Sequence, residues 1–209
     1  MKLSRINSLI KILTYSDLLI ISGWGLVNPI FAVYLSTKIK NGNLELAGLA
    51  MAVFYITKSF LQIPVARFID SIKGELDDMI TMAVGTCIIS IVPFLYAQVS
   101  TAAQVLLLQA FYGIGYALVT PGWLAIFTRH LDRHQEAEEW SVYNSMTSLG
   151  AALAGALGGF IAEKFGFQVL FLAVGIICIA GTSLLYFVYQ DLRQEEKEGV
   201  MEKLLHTDH

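Results

Sequence analysis

Long apolar runs separated by short polar segments follow one another along this chain. The run Leu46–Phe68 carries a single lysine, Lys58, near its centre and a proline, Pro64, toward its end. A dense charged loop follows it, and the next apolar run begins at Met79. Two long apolar segments joined by a short charged loop are typical of a pair of membrane-spanning helices.

Six such runs, of about 20–26 residues each, are long enough to cross a hydrocarbon core about 30 Å thick. They are Leu13–Leu35, Leu46–Phe68, Met79–Gln98, Ala102–Phe127, Val142–Ala162 and Val169–Tyr189. Because lipid offers the backbone no hydrogen-bond partner, each run is predicted to be a helix, with sequential helices as antiparallel neighbours. We therefore predict an all-α integral membrane protein, with a six-helix domain over residues 1–190 and a charged tail, frayed or disordered, over residues 191–209.

The composition supports a membrane location. Of the 209 residues, 56% are hydrophobic and 15% are charged, against roughly 25% charged residues in soluble domains. This excludes a soluble helical bundle, and a net charge of −3 gives no indication of nucleic-acid binding. Cys87 and Cys178 lie inside apolar runs and are expected to be small core residues, without a disulfide or metal role.

The basic residues predict the orientation in the membrane. If the N-terminus is cytoplasmic, most lysines and arginines fall on the cytoplasmic side, as the positive-inside rule requires. That side holds Lys2, Arg5, Lys11, Arg67, Lys73, Arg129, Arg133, Arg193, Lys197 and Lys203, and the other side holds Lys38, Lys40 and Lys164. We predict a multi-pass protein of the plasma or inner membrane with both termini in the cytoplasm.

Lys58 is the sharpest functional signal. It lies near the predicted membrane midplane, where a lysine costs about 2.5–3.5 kcal/mol on insertion scales. The functional hypothesis is a cation that faces a cavity and meets an anionic substrate or a carboxylate, and the structural alternative is a lysine that snorkels or pairs. Asp17, the one carboxylate inside a span, is expected to be a solvated helix start. Three polar residues, Asn28, Gln62 and Gln109, either line a path or hydrogen-bond between helices.

Other chemistry is weakly indicated. His130 and His134 are four residues apart in the cytoplasmic segment Thr128–Ser141, but no third ligand is fixed by spacing, so we predict a solvated loop and no metal or cofactor. HExxH, GxSxG and P-loop motifs are absent, so an enzyme is not predicted. Four aromatic residues within spans either line a cavity or pack, and packing is expected for each taken singly: Trp24, Tyr55, Tyr112 and Tyr116.

The loop after the second span resembles a motif of the major facilitator superfamily, G-x-x-x-D-R-x-G-R-R. In Arg67–Gly74 the aspartate is matched by Asp70, whereas Ala66 and Ser71 replace the first glycine and the arginine, and Gly74 comes one residue late. In the family this aspartate engages the opposite half of the transporter. The resemblance implies a conformational-switch loop containing Arg67, Asp70 and Gly74.

Three further segments are similar to motifs of the same family. Gln109–Ala117 resembles R-x-x-x-G-x-G-x-A, with glutamine in place of the arginine of many proton-coupled exporters, which argues against proton antiport. Gly150–Gly159 resembles G-x-x-x-G-P-x-x-G-G, and Gly166–Phe171 resembles G-W-R-x-x-F. Small residues let helices approach closely, and the glycines predicted to do so are Gly113, Gly115, Gly150, Gly155, Gly158 and Gly159.

The resemblance implies the N-terminal six-helix half of a twelve-helix fold that binds substrate between its halves near the midplane. The implied function is a secondary transporter of a small solute by alternating access, working as a homodimer or with a second half-transporter in the lipid membrane. The candidate path residues are then Lys58, Asn28, Gln62 and Gln109. The alternatives are a non-transporting membrane binding or regulatory protein, and a split half that needs a partner subunit.

Overall fold

The computed structural model describes residues 7–72 and 74–207, with the backbone alone for residue 195 and for residues 197–207. Lys2, Arg5 and Lys73, which entered the orientation prediction, lie outside the described residues, as do the side chains of Lys197 and Lys203. The regular structure of the described part is helical, apart from one isolated bridge between Lys40 and Thr101.

The helices follow one another with short connections. They are α1 (Ser8–Gly25), a 3-10 turn (Asn28–Ile30), α2 (Phe31–Lys38), α3 (Leu44–Asp70), α4 (Leu76–Tyr96), α5 (Ala102–Arg129) and α6 (Glu136–Thr207). Five helical segments of the described chain are long and apolar enough to cross a membrane: Ser8–Lys38, Leu44–Asp70, Leu76–Tyr96, Ala102–Arg129 and Glu136–Gln194. The prediction of six separate helices is therefore not confirmed.

Helix α6 contains both of the last two predicted spans and continues through the segment expected to be a frayed or disordered tail. It has one interruption, at Gly166, whose φ of 85° and ψ of 163° are not helical. A positive φ is readily adopted by glycine because it has no Cβ. The residues predicted as a loop between two helices thus form a sharp break at a single glycine.

The first predicted span, Leu13–Leu35, begins earlier and ends later than expected, and it is divided. Pro29 has no backbone N–H to donate, so the α-helix cannot continue through it unchanged, and residues Asn28–Ile30 form a 3-10 turn between α1 and α2. Side chains fix several helix starts. Asn7 accepts a hydrogen bond from the Leu9 backbone, and Asn43 accepts one from the backbone of Leu46, as N-caps do.

The helices do not pack in simple sequence order. The largest contacts join α1 to α6, α4 to α5 and α3 to α5. Helix α3 makes little contact with α4, so the expectation that sequential spans are packed neighbours was wrong for this pair. Helix α3 packs instead on α5, where Gly113 permits a close approach. A Cβ at Gly113 would lie 2.8 Å from the backbone oxygen of Phe54 in α3.

Four of the other predicted packing glycines occupy two further contacts. Gly115 of α5 faces Gly85 of α4, where a Cβ would lie 3.1 Å from the Gly85 backbone oxygen. Gly150, Gly155 and Gly158 of α6 face the α1 side of the bundle, at Ser22, at Pro29 and at the Leu26 backbone respectively. Gly159 has open space where a Cβ would be, so no described helix packs against it.

Large apolar side chains cover the outside of the bundle, as a lipid environment requires. Phe60 is 77% exposed and Leu153 is 69% exposed, values that would be costly in water. Cys178 is buried, as expected, but Cys87 is exposed, so its prediction as a core residue was wrong. The helix bearing Cys87 presents that side chain outward, because its opposite face packs on α5.

Candidate functional site

Three of the four predicted path residues share one cavity. A cavity of about 360 Å³ is found elsewhere in the bundle, but the one of about 350 Å³ contains Lys58, Asn28 and Gln109. We call it the Lys58 cavity. Its other lining residues are apolar or aromatic: Trp24, Phe31, Met51, Phe54, Tyr55, Tyr112 and Tyr116.

Lys58 is held against an aromatic ring. Its Nζ lies 5.5 Å from the centroid of the Tyr116 ring, within the range of a cation–π contact. No carboxylate oxygen of the described residues lies within ion-pair distance of Lys58. The ammonium is therefore half-buried beside a ring, with its charge not neutralised by a described side chain.

The aromatic residues both pack and line the cavity. The rings of Trp24 and Tyr112 are 4.2 Å apart, and those of Phe54 and Tyr112 are 5.0 Å apart. The hydroxyl of Tyr112 donates to that of Tyr116 at 3.3 Å. The expected packing of these residues is confirmed by their ring contacts. The alternative also holds, because Trp24, Tyr55, Tyr112 and Tyr116 all line the Lys58 cavity.

The fourth predicted path residue lies elsewhere. Gln62 lines a cavity of about 310 Å³ near the end of α3, together with Arg67 and Asp70 of the predicted switch loop. Asp70 is exposed there. Gly74 follows with a φ of 137°, a conformation that L side chains rarely adopt. The structure therefore places Gln62 with the switch loop and not with Lys58.

A second large cavity contains a residue that sequence reasoning set aside. In the cavity of about 360 Å³, Asp17 accepts a hydrogen bond of 2.8 Å from the hydroxyl of Tyr143. The prediction of a solvated helix start was wrong, because α1 begins at Ser8, which places Asp17 about 14 Å along the helix. We call this the Asp17 cavity.

The two cavities adjoin at Tyr116 and extend from it toward different ends of the bundle. Short connections join the end of α3 to the start of α4, and the end of α5 to the start of α6. The Asp17 cavity is lined by the middle of α1 and by residues toward those connections, including Trp123 and Trp140. The Lys58 cavity is lined by the end of α1 and the first half of α5. Tyr116 lines both.

Comparison with known proteins decides the family. The model of the Major Facilitator Superfamily matches residues 16–206, which include nearly all of the described helices. The chain belongs to the major facilitator superfamily. It is a multi-pass membrane protein, because proteins of this superfamily cross the membrane several times and the helices of this chain are long and apolar.

Two superfamily relatives define how much of the fold this chain covers. It is 28% identical to the MFS-type transporter MJ1560 of Methanocaldococcus jannaschii over 99% of this chain and 51% of the relative. It is 24% identical to the quinolone resistance protein NorA of Staphylococcus aureus over 75% of this chain and 39% of the relative. The chain spans about half the length, or less, of the curated relatives it matches.

A cluster of charged residues joins the start of α4 to the end of α5. Arg129 donates a short hydrogen bond to Asp78, whose side chain is almost fully buried, and lies 3.7 Å from Glu75. The Nε2 atom of His130 lies 2.8 Å from Glu75. The pKa of the Glu75 carboxyl is lowered, chiefly by the hydrogen bond with His130. The charges of His130 and Arg129 lower it further.

The two histidines considered for metal binding are not on one helix. His130 follows the last residue of α5 and contacts Glu75, and His134 has a φ of 67° in the connection before α6. Within residues 7–72 and 74–207, no group of three His, Cys, Asp or Glu residues could hold a metal ion.

The residues that sequence reasoning missed are Asp17, Tyr143, Trp123 and Trp140. Asp17 carried a usable signal, because a carboxylate within an apolar run is expensive wherever it is placed. Tyr143, Trp123 and Trp140 carried none, since aromatic residues near span ends are also typical of the membrane interface.

Proposed function

We propose that this chain forms six membrane crossings of a secondary transporter, with both termini in the cytoplasm. The segment Glu136–Gln194 contains 59 residues, and a helix of that length would extend about 90 Å, three times the hydrocarbon thickness. The break at Gly166 lies about midway and allows the chain to cross, turn and return. This raises the number of crossings from five helical segments to six.

We further propose that these crossings work by alternating access with a second, similar half. We propose that this half is a second copy of the chain, which gives a homodimer. The alternative partner is a different half-transporter. Helix α3 supports the idea, because its most apolar stretch is only 11% buried, the lowest share among the five segments. One flank of α3 is thus free to meet another half, and the Lys58 cavity lies beside it.

The observation that carries the proposal is the charge of Lys58. A lysine deep in a membrane protein, in a cavity and without a described carboxylate partner, is well suited to meet an anionic or zwitterionic solute. Asn28 and Gln109 add hydrogen-bonding groups to the same cavity, which gives a few polar groups among apolar walls, as in most small-molecule sites.

Currents from proteoliposomes test the proposal. The full chain is reconstituted and exposed in turn to sets of anionic, zwitterionic and cationic small solutes on a solid-supported membrane. We expect currents with anionic or zwitterionic solutes that Lys58→Ala abolishes and Lys58→Arg retains. Lys164→Ala is the matched control, because Lys164 is a cation that lies beside the rings of Phe160 and Phe165 and does not line the Lys58 cavity.

Two results would count against it. Currents that do not change with Lys58→Ala would remove this residue from the solute path. No current with any solute, from a preparation that contains a second half, would contradict transport itself.

The second candidate is a non-transporting binding or regulatory protein, or a split half that acts with a partner subunit. The departures Ala66 and Ser71 from the family loop favour it. Native mass spectrometry in detergent distinguishes the two candidate functions. A dimer or a co-purified half supports transport, whereas a strict monomer without currents supports the second candidate.

A further inference from the structure

The Asp17 cavity has an unusual balance of chemistry. Asp17 carries the one carboxyl group among its lining residues, and no lysine, arginine or histidine lines it. The remaining walls are aromatic or apolar apart from the hydroxyls of Ser16, Thr86 and Thr120. A cavity of about 360 Å³ falls within the usual range for small-molecule sites.

The carboxylate of Asp17 has capacity left for a ligand. Its described hydrogen bond comes from the hydroxyl of Tyr143, whereas an ionised carboxylate offers about four acceptor positions. No basic side chain of the described residues forms an ion pair with it. Its negative charge is therefore directed into the cavity without a cation from the part of the chain that is described.

Aromatic faces surround the same space. Trp123 lies 5.0 Å from Tyr143 and 6.0 Å from Trp140, measured between ring centroids, and all three rings line the cavity together with Tyr116. The faces of such rings attract cations.

We propose that the Asp17 cavity binds an organic cation, namely an ammonium group carried on an apolar or aromatic body. An anion would be repelled by Asp17, and a metal ion would find a single carboxylate where it needs several oxygen ligands. A neutral apolar molecule would leave the charge of Asp17 unpaired among apolar and aromatic walls, which is unfavourable. A cation with an apolar body satisfies both the carboxylate and the rings.

Lys58 keeps this site distinct from the neighbouring cavity. The two cavities share Tyr116, and the ammonium of Lys58 lies against its ring on the Lys58 side. A cation is therefore repelled from the Lys58 cavity and attracted into the Asp17 cavity. The site goes beyond the proposed transport function, because binding is measured without a gradient or a second half.

Calorimetric titration of the detergent-purified full chain tests the site. The probe is benzyltrimethylammonium, which keeps its charge at every pH, and it is compared with benzenesulfonate and with the neutral isostere neopentylbenzene. We expect the cation to bind and the sulfonate not to compete. Asp17→Asn should raise the dissociation constant about tenfold or more, because it removes a charge at close range in a poorly solvated site. Asp17→Glu should bind within about threefold of the native protein.

Matched variants locate the site. Trp123→Leu should weaken binding of the cation, whereas Trp24→Leu, which changes a tryptophan of the Lys58 cavity, should leave it unchanged. Lys58→Ala should bind the cation at least as tightly as the native protein, because it removes a positive charge beside the shared Tyr116 ring. Thermal unfolding of each variant shows that it is folded before it is titrated.

The proposal is overturned if Asp17→Asn binds the cation as well as the native protein does, or if the native protein does not bind it. If Asp17→Asn does not fold, the comparison of ligands on the native protein tests the proposal. Neopentylbenzene that competes as well as the cation binds would overturn it, because the cavity would then select only for apolar shape. Cation binding without solute currents would support this site and count against the proposed transport. Solute currents without cation binding would support transport and overturn this site.

Discussion

The carboxylate of Asp17 in α1 and the hydroxyl of Tyr143 in α6, separated by 126 positions in the chain, are joined by a hydrogen bond of 2.8 Å. The bond connects the two helices that make the largest contact in the bundle. It also orients the one carboxylate of the Asp17 cavity. Two distant segments are thus held together by a polar contact inside an apolar environment.

Removing this hydroxyl should destabilise the protein. A hydrogen bond to a charged group contributes about 1.5–3 kcal/mol, so Tyr143→Phe should lower the free energy of unfolding by that amount. Denaturant unfolding in detergent, followed by circular dichroism, measures the change. Tyr186→Phe is the control, because Tyr186 is 60% exposed, and a loss of equal size in both variants would contradict the assignment.

Two adjacent glycines of α6 give a second prediction. At Gly158 a Cβ would collide with the backbone of Leu26 in α1, whereas at Gly159 it would meet nothing within 4 Å. Gly158→Ala should therefore reduce stability by about 1–3 kcal/mol, as overpacking does. Gly159→Ala should be neutral, or stabilising by up to about 1 kcal/mol from helix propensity.

Thermal unfolding of the two variants under one set of conditions checks this. The comparison controls for composition and for helix position, since the substitutions are identical and adjacent. Equal effects at both positions would mean that α1 does not approach α6 at Gly158.

The sequence predicted the second and fourth spans closely because their apolar length is a simple consequence of membrane thickness. Leu44–Asp70 and Ala102–Arg129 differ from the predicted spans by about two residues at an end, since charged residues at the membrane surface remain helical after the apolar run is over. It did not predict that α3 packs on α5 and not on α4. That choice depends on where Gly113 points, which helical periodicity alone does not reveal.

The site was predicted in part. Lys58 was identified because a charge within an apolar run is expensive, and Asn28 and Gln109 joined it in one cavity. Asp17 was misjudged because the helix start was placed at the first apolar residue, Leu13, and not at the capped start after Asn7. Gln62 was grouped with Lys58 by its position on the same helix, but it points to the switch loop.

The pH dependence of stability should include a contribution from Glu75. Contact with His130 and Arg129 lowers its pKa below the ordinary value of 4.5. A carboxyl with a lowered folded pKa stabilises the protein above its unfolded pKa, and this stabilisation is lost as the pH falls through the folded value. Glu75→Gln should therefore lose less stability than the native protein on acidification below pH 4.5.

Melting temperatures measured from neutral pH downward test this expectation. The exposed Glu138 provides the control, and Glu138→Gln should keep the steepness of the native curve. A Glu75→Gln curve parallel to the native one at acid pH would show that the contact between α4 and α5 does not contribute in this way.

The number of crossings underlies every other part of the account, and cysteine labelling measures it most directly. In a Cys87→Ser background, Phe165→Cys lies beside the break at Gly166 and is 55% exposed, whereas Arg133→Cys lies in the exposed connection before α6. A membrane-impermeant maleimide added to intact cells should label Phe165→Cys, and it should label Arg133→Cys only after the cells are opened. Labelling of both cysteines in intact cells, or of neither, would contradict a chain that crosses the membrane between these positions and turns at Gly166.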